Sequence, residues 1–367
     1  MSYDRQRTWF SFEGIFSNLA ALQSYNSAVL GMRTATFARN EACQQSVTIK
    51  RFFEPFATSS MARNIFREIK LLRFLKHENI SDIYRYIATE LMETNLQTLL
   101  DTRFIHGEFV QFFLYQIMRG LKYIHSAGIF HCDLKPSNIL VDRNCDLKIC
   151  NIVYAELKPW TANDVSTKYY KAPEAIIERH ICDEYIDIWG AGCIFAELLH
   201  GKVLFPGQNS IHQLHVITKP LGTPSEIAIN SMFSKNSGLF QGVKATCCPI
   251  SSRTLIQKNI YFCSRRTLLT TAAIHLLEKL LVFDPQGRVS ACEALAFAYL
   301  APYHDLTDEP EAERKFDWKS GKDDDVVEVW KTKLYGRRNG RNGHTLKCSN
   351  IVREQSYSKL SRNGFLK

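Results

Sequence analysis

The sequence predicts an α+β protein built from a small strand-rich lobe followed by a larger helical one. Three observations carry that reading. The 367 residues, 45% hydrophobic and 23% charged, have an ordinary globular composition but are long for a single core. Upstream of Met92, short β-branched runs alternate with turn residues, as strands do. From Glu108 onward the apolar residues recur at helical spacing and continue to do so.

In chain order, residues 1–24 are aromatic-rich (Trp9, Phe10, Phe12, Phe16) without a period, and read as an extension packed across the first lobe. Val29-Leu30-Gly31-Met32 opens a strand-and-turn region, and 46–51 reads as a strand ending in a basic pair. Ile65, Ile69, Leu72 and Leu75 predict an amphipathic helix over 61–76, which carries Glu68. Residues 83–91 read as one strand. Phe112, Phe113, Tyr115, Ile117, Met118, Leu121 and Ile124 predict a long buried helix over 109–125, closed by Gly128. Two short strands, 140–141 and 147–149, flank the turn Arg143-Asn144. Helices follow over 187–200, ended by Gly201, and over 211–218 and 271–282. From Gly336, glycines among alternating Arg and Asn predict a poorly ordered tail.

The net charge of +9 comes from 46 Lys+Arg against 37 Asp+Glu, and much of the excess lies in the tail from Lys331 to Lys367. A solvated basic tail accounts for it; a nucleic-acid or acidic-membrane contact is a remoter use, and no aromatic–basic array suggests base stacking. The 11 cysteines include no Cys-x-x-Cys pair and read as reduced, mostly buried thiols of an intracellular protein. The first ten residues hold Asp4, Arg5 and Arg7 and no apolar core, so they do not read as a secretory signal; no apolar run approaches the ~20 residues of a membrane span.

The chemistry concentrates in 130–140. An apolar residue leads into a tight loop holding Asp133, Lys135 and Asn138, and Ile139-Leu140-Val141 follows. A carboxylate, an ammonium and an amide so close can serve one phosphoryl group together. The carboxylate takes a hydroxyl proton, the ammonium neutralises the transferred phosphate, and the amide oxygen holds a metal.

That loop, His131-Cys132-Asp133-Leu134-Lys135-Pro136-Ser137-Asn138, resembles the catalytic loop of eukaryotic protein kinases, with Cys132 where they have Arg. Further segments carry the likeness in the family's order: Ile49-Lys50, Arg67-Glu68-Ile69-Lys70, Leu147-Lys148-Ile149-Cys150, Lys171-Ala172-Pro173-Glu174, Asp187-Ile188-Trp189-Gly190, Leu221-Gly222-Thr223-Pro224 and Phe283-Asp284-Pro285. They identify a mitogen-activated protein kinase over roughly residues 25–330. His125-Ser126-Ala127-Gly128 and Ala301-Pro302-Tyr303-His304-Asp305 resemble the fungal high-osmolarity-glycerol branch.

The resemblance implies a bilobal kinase fold: an extension over 1–24, an N-lobe over 25–92, a C-lobe over 93–300, a docking and C-terminal extension over 301–335, and the basic tail 336–367. It implies ATP and Mg²⁺ as cofactors, with Asp133 and Lys135 catalytic. Asn138 and Asn151 would be the metal ligands, and Leu30, Gly31, Ala38, Lys50, Glu68, Thr89, Leu91, Met92 and Asn95 would surround the nucleotide. Asp305, Asp308 and Glu309 would form an acidic docking patch for substrates and an upstream kinase, on a cytoplasmic and nuclear monomer.

Three departures weigh against full activity. The phosphate-cradling loop keeps Gly31 alone, so Arg33 and Thr36 bring side chains where glycines would let backbone N–H groups reach phosphate. The small lobe also reads as trimmed, between that loop and Lys50 and across 79–84. Asn151-Ile152-Val153 stands where the family has D-F-G, and an uncharged amide replaces the metal-binding carboxylate. Ala162-Asn163-Asp164 stands where Thr-x-Tyr would be phosphorylated, matching the loss of the phosphate-gripping arginine at Cys132. The sequence thus predicts a stress-type serine/threonine kinase of impaired activity, with a catalytically silent docking module of the same fold as the alternative.

Overall fold

The computed structural model describes residues 33–39, 46–52, 56–81, 83–85, 88–102, 105–152, 166–177, 182–222, 270–318 and 329. Leu30, Gly31, the segment 153–165 with Ala162, Asn163 and Asp164, the extension 1–24 and the basic tail lie outside them. The described residues fall into two compact units: one formed from 33–70 and 83–91, the other from 71–81 and 92–318.

The first unit holds a four-stranded antiparallel sheet of order β1-β2-β4-β3. Its strands are β1 (Arg33–Arg39), β2 (Ser46–Phe52), β3 (Ile83–Arg85) and β4 (Ala88–Glu90). Two expectations change here. Residues 33–38, read as the phosphate loop, continue as β1 in unbroken register with β2, from Arg33 opposite Phe52 to Arg39 opposite Ser46. Without glycines, Thr34, Thr36 and Phe37 are residues that suit a pleated strand better than a turn. The single strand over 83–91 is instead two strands that pair antiparallel, with an irregular register between Ile83 and Arg85. Helix α1 (Ser59–Phe74) begins in this unit and buries Ala62, Ile65 and Glu68.

The second unit is helical around one core. Its small antiparallel sheet joins β5 (Thr94–Asn95), β6 (Ile139–Val141) and β7 (Leu147–Ile149). Its helices are α2 (Leu96–Thr102), α3 (Gly107–Ser126), α4 (Pro173–Ile177), α5 (Glu184–His200), α6 (Ser210–Leu221), α7 (Thr271–Leu280) and α8 (Ala291–Leu295). Among the described residues no helix is long and apolar enough to cross a membrane.

Helices α3 and α5 form the axis of the core. Helix α3 buries Phe113, Leu114, Ile117, Met118, Leu121 and Ile124, and α5 is buried along nearly its whole length. Asp183 caps α5 by accepting the backbone N–H groups of Tyr185 and Ile186. Gly201 ends it in the left-handed conformation at φ 80°, as glycine does most easily. Trp189 of α5 stacks on Phe205 at 5.7 Å.

Residues 301–318 strap this core. The Phe316 N–H donates to the Ala127 carbonyl at 2.8 Å, the Ala312 N–H to Ser126 Oγ at 2.8 Å, and Trp318 Nε1–H to the Gly128 carbonyl at 3.2 Å. Phe316 also meets Phe74 edge-on at 5.2 Å.

Candidate active site

The loop between α3 and β6 is held from beneath by α5. Asp187, fully buried, accepts the backbone N–H groups of His131 and Cys132, each at 2.7 Å, and His125 Nε2 lies 2.9 Å from it. Gly190, one turn on, makes room for the loop: a Cβ there would lie 3.1 Å from the Leu134 carbonyl oxygen. His131 Nδ1 accepts the Asp133 N–H at 3.2 Å, so the ring proton sits on Nε2 and is donated to the Cys150 carbonyl at 2.9 Å. Sequence reasoning places Asp187 in a family motif without giving it this role. The signal that could have found it is a carboxylate in an otherwise apolar helix, which must be satisfied by buried donors.

On this support Asp133, Lys135 and Asn138 converge as expected. Lys135 Nζ lies 2.9 Å from Asp133 Oδ2. Asn138 Nδ2 donates to the Asp133 carbonyl at 2.8 Å and lies 3.3 Å from its carboxylate. The backbone ties the group to β7, since the Cys150 N–H donates to the Asn138 carbonyl at 2.9 Å.

Asn151 joins the same group. Its Nδ2 donates to Asn138 Oδ1 at 3.0 Å. Because Asn138 Nδ2 already faces a carbonyl, its oxygen must face Asn151, and only the amide N–H₂ of Asn151 can answer it. The side-chain oxygen that Asn138 would offer a cation thus already accepts a hydrogen bond from the other intended ligand. Asn151 itself sits at φ 63°, a left-handed backbone that asparagine tolerates better than most residues.

Mg²⁺ prefers a near-octahedral set of charged and neutral oxygens. Here the pair assigned to it is neutral and mutually hydrogen-bonded, and the one carboxylate of the loop, Asp133, is paired to Lys135. The residues present fit the metal poorly.

The remaining expected residues divide. Lys50 lies in β2 opposite Ala35, and Ala38 in β1 opposite Val47; Thr89 is in β4 opposite Thr48, and their side chains lie outside what is described. Glu68 is buried on α1. Leu91 and Met92 are half-buried in the connection after β4. Asn95, read as a ribose contact, is engaged locally: its Oδ1 accepts the Thr98 N–H at 3.0 Å and caps α2.

The cysteine at 132 departs from the reduced-thiol expectation. It is disulfide-bonded to Cys182, with Cα atoms 5.8 Å apart. The two are 50 residues apart in sequence, so their approach exists only in the folded chain. Cys145, Cys150 and Cys193 are buried thiols and Cys292 is an exposed one.

The acidic docking patch is also corrected. Glu309 is buried, not presented: its carboxylate lies 2.8 Å from His304 Nδ1 and 3.5 Å from Lys122 Nζ. Lys122 is itself buried on α3 and requires a counter-charge. Asp308 is half-engaged, at 3.0 Å from Arg119, whose Nε–H also donates to the Asp308 carbonyl. Asp305 is exposed and turns its Oδ1 to the Thr307 N–H at 2.9 Å and hydroxyl at 2.7 Å.

Comparison with known proteins agrees with this geometry. The family model "Protein kinase domain" matches residues 33–300. The Mitogen-activated protein kinase HOG1 of Chaetomium globosum is 47% identical over 331 residues, covering 88% of this chain and 89% of that protein. Its namesake in Gibberella zeae is 46% identical, and the hog-1 kinase of Neurospora crassa 45%, both over the same shares of the two chains.

Proposed function

The chain belongs to the protein kinase family, and within it to the mitogen-activated protein kinases of the fungal HOG1 type; on that premise we propose a serine/threonine kinase of osmotic-stress signalling whose phosphoryl transfer is impaired. Membership implies ATP as phosphoryl donor, with Mg²⁺. The observation that carries the kinase reading is the convergence of Asp133 and Lys135 within 2.9 Å. Asp133 is the base that would take the proton of a protein Ser or Thr hydroxyl, and Lys135 faces the charge that moves to the transferred phosphate.

The observation behind the impairment is the amide pair Asn151–Asn138, at 3.0 Å. That pair offers a metal no charge, which leaves Asp133 and Lys135 as the groups with chemistry of their own. The same contact favours a second reading, a docking module that keeps the fold and dispenses with transfer. In either case Asp305 and the exposed part of Asp308, beside exposed Leu306, are the acids available to basic partner segments; Glu309 is not. We place the protein in the cytoplasm and nucleus as a monomer, with Lys50, Glu68, Thr89, Leu91 and Met92 toward the nucleotide.

The test is transfer from ATP–Mg²⁺ to a general protein substrate by the full chain, beside Asp133→Ala and Asn151→Asp. Weak wild-type transfer abolished by Asp133→Ala and raised by Asn151→Asp is the expected result. Absence of transfer and of nucleotide binding in the wild type and in Asn151→Asp leaves the docking module.

A further inference from the structure

The disulfide between Cys132 and Cys182 joins two places that matter to the catalytic loop. Cys132 immediately precedes Asp133, and its backbone sits at φ 56°, a left-handed conformation that a side chain adopts only under constraint. One constraint is Asp187 Oδ1, which accepts its N–H at 2.7 Å. The other is the sulfur bond. Cys182 immediately precedes Asp183, the cap of α5, so both constraints issue from the start of one helix.

The two sulfurs differ in access. Cys132 is 4% exposed, whereas Cys182 is half-buried. A Cα separation of 5.8 Å is one a disulfide occupies without backbone movement, so the bond can open and close on a fixed frame. Among the described free thiols, Cys145, Cys150 and Cys193 are buried, and Cys292 is exposed and open to its own small-molecule adduct. Burial pushes Cys145 up to about 12 and Cys193 well above the ordinary thiol range, and both are enclosed.

We propose that Cys132 and Cys182 form a reversible thiol–disulfide site, closed and opened by a small-molecule disulfide–thiol couple of the glutathione type, with Cys182 the sulfur that exchanges with solution. On closing, the Cys182 thiolate attacks one sulfur of the oxidised small molecule and expels a first small thiolate. Cys132, giving up its proton, then attacks the Cys182 sulfur of the mixed disulfide and expels the second. Two cysteine thiols are oxidised, one small-molecule disulfide is reduced to two thiols, and the two protons end on them. Opening is the reverse, and begins with attack of a small thiolate on the Cys182 sulfur. Closed, the site holds the residue before Asp133 covalently to the start of α5; open, Asp187 holds it alone.

The experiment equilibrates the full chain in glutathione buffers graded from reducing to oxidising, traps thiols by acid quench and alkylation, and maps peptides without reduction. The expected result is a Cys132–Cys182 linked peptide that rises with oxidation and is lost on reduction, with a higher melting temperature for the linked form. In Cys132→Ser a glutathione adduct should form on Cys182, counted apart from any on exposed Cys292. Two alkylated thiols in the most oxidising buffer, linkage of Cys182 to another cysteine, or a Cys132→Ser chain whose Cys182 takes no adduct each overturn the proposal. Should that variant fail to fold, the wild-type titration decides by itself.

Discussion

The ion pair Glu174–Arg288 and the amide pair Asn138–Asn151 are the two most informative polar contacts of the helical unit, and they have had opposite fates. Arg288 places all five N–H donors: two on Glu174 at 2.5 and 2.8 Å, and one each on the carbonyls of Val282, Tyr185 and Phe283, with the guanidinium 5.0 Å from the Trp189 ring. Both charges are buried and each answers the other. Asn151 stands where a carboxylate would answer a cation arriving from solution, and without that charge its amide simply pairs with Asn138. Removing a charge whose partner is part of the chain leaves an orphan in the interior. Removing a charge whose partner is a solute leaves the fold intact and weakens only the chemistry.

The largest effect expected is at the ion pair. Arg288→Met leaves Glu174 buried without its counter-charge and should lower unfolding free energy by about 3–5 kcal/mol in a denaturant titration. A loss below about 1 kcal/mol would break the contrast.

Next comes Asn151→Asp. A unit-charge pair at ~4 Å is worth about 4 kcal/mol at an effective dielectric near 20, so the variant should gain on the order of a hundredfold to a thousandfold in Mg²⁺ affinity. In the metal-free protein the new carboxylate faces Asn138 Oδ1, oxygen to oxygen, and loses a hydrogen bond. Its melting temperature should therefore fall without Mg²⁺ and recover with it, while the wild type ignores the metal. A wild type that responds equally would remove the distinction.

A third measurement asks whether the helical unit has other groups that tolerate no charge. His77 Nδ1 accepts the Asn79 N–H at 3.0 Å and the ring stacks on Tyr123 at 4.7 Å. Burial, then the nearby Arg119 guanidinium, lower its pKa from 6.5 to about 4. The folded state thus binds this proton less readily than the unfolded chain. The contribution is intact above about pH 6.5 and is lost as pH falls toward 4, by no more than about 3 kcal/mol. His77→Gln should flatten the stability–pH curve in that window; an unchanged slope would discount the histidine.

The smallest effect is expected at an exposed contact, where water replaces what is lost. Ser290 and Glu293 form a reciprocal capping box at the start of α8. Ser290→Ala should cost about 1 kcal/mol by the same titration. A loss matching that of Arg288→Met would mean that burial is not what separates the two classes.

What the sequence revealed and what it hid follow the same division. The helices around 109–125 and 187–200 were legible from periodicity and from glycines at their ends, and the structure extends them only to Gly107–Ser126 and Glu184–His200. The convergence of Asp133, Lys135 and Asn138 was legible because all three lie within one short loop. Hidden were the facts that require distant partners. Glu309 looked exposed in a polar run, and one of the groups that satisfy it when buried, Lys122, lies far back on α3. Cys132 and Cys182 carry no spacing signature at 50 residues apart. The division of 83–91 into two strands was hidden by a run without glycine, proline or asparagine to mark a break. Asn95 before Leu96 was a readable helix cap.

The strap over 301–318 bears on where this protein can be cut. The family pattern stops at residue 300, yet Lys122 finds its counter-charge at Glu309, Arg119 draws on Asp308 as well as Glu78, and the end of α3 is covered by Phe316 and Trp318. A truncation at the pattern's edge would strip buried Lys122 of its carboxylate, halve the acids around Arg119 and open an aromatic face of the core to water. The helical unit therefore includes the strap 301–318, and its physical boundary lies beyond residue 300.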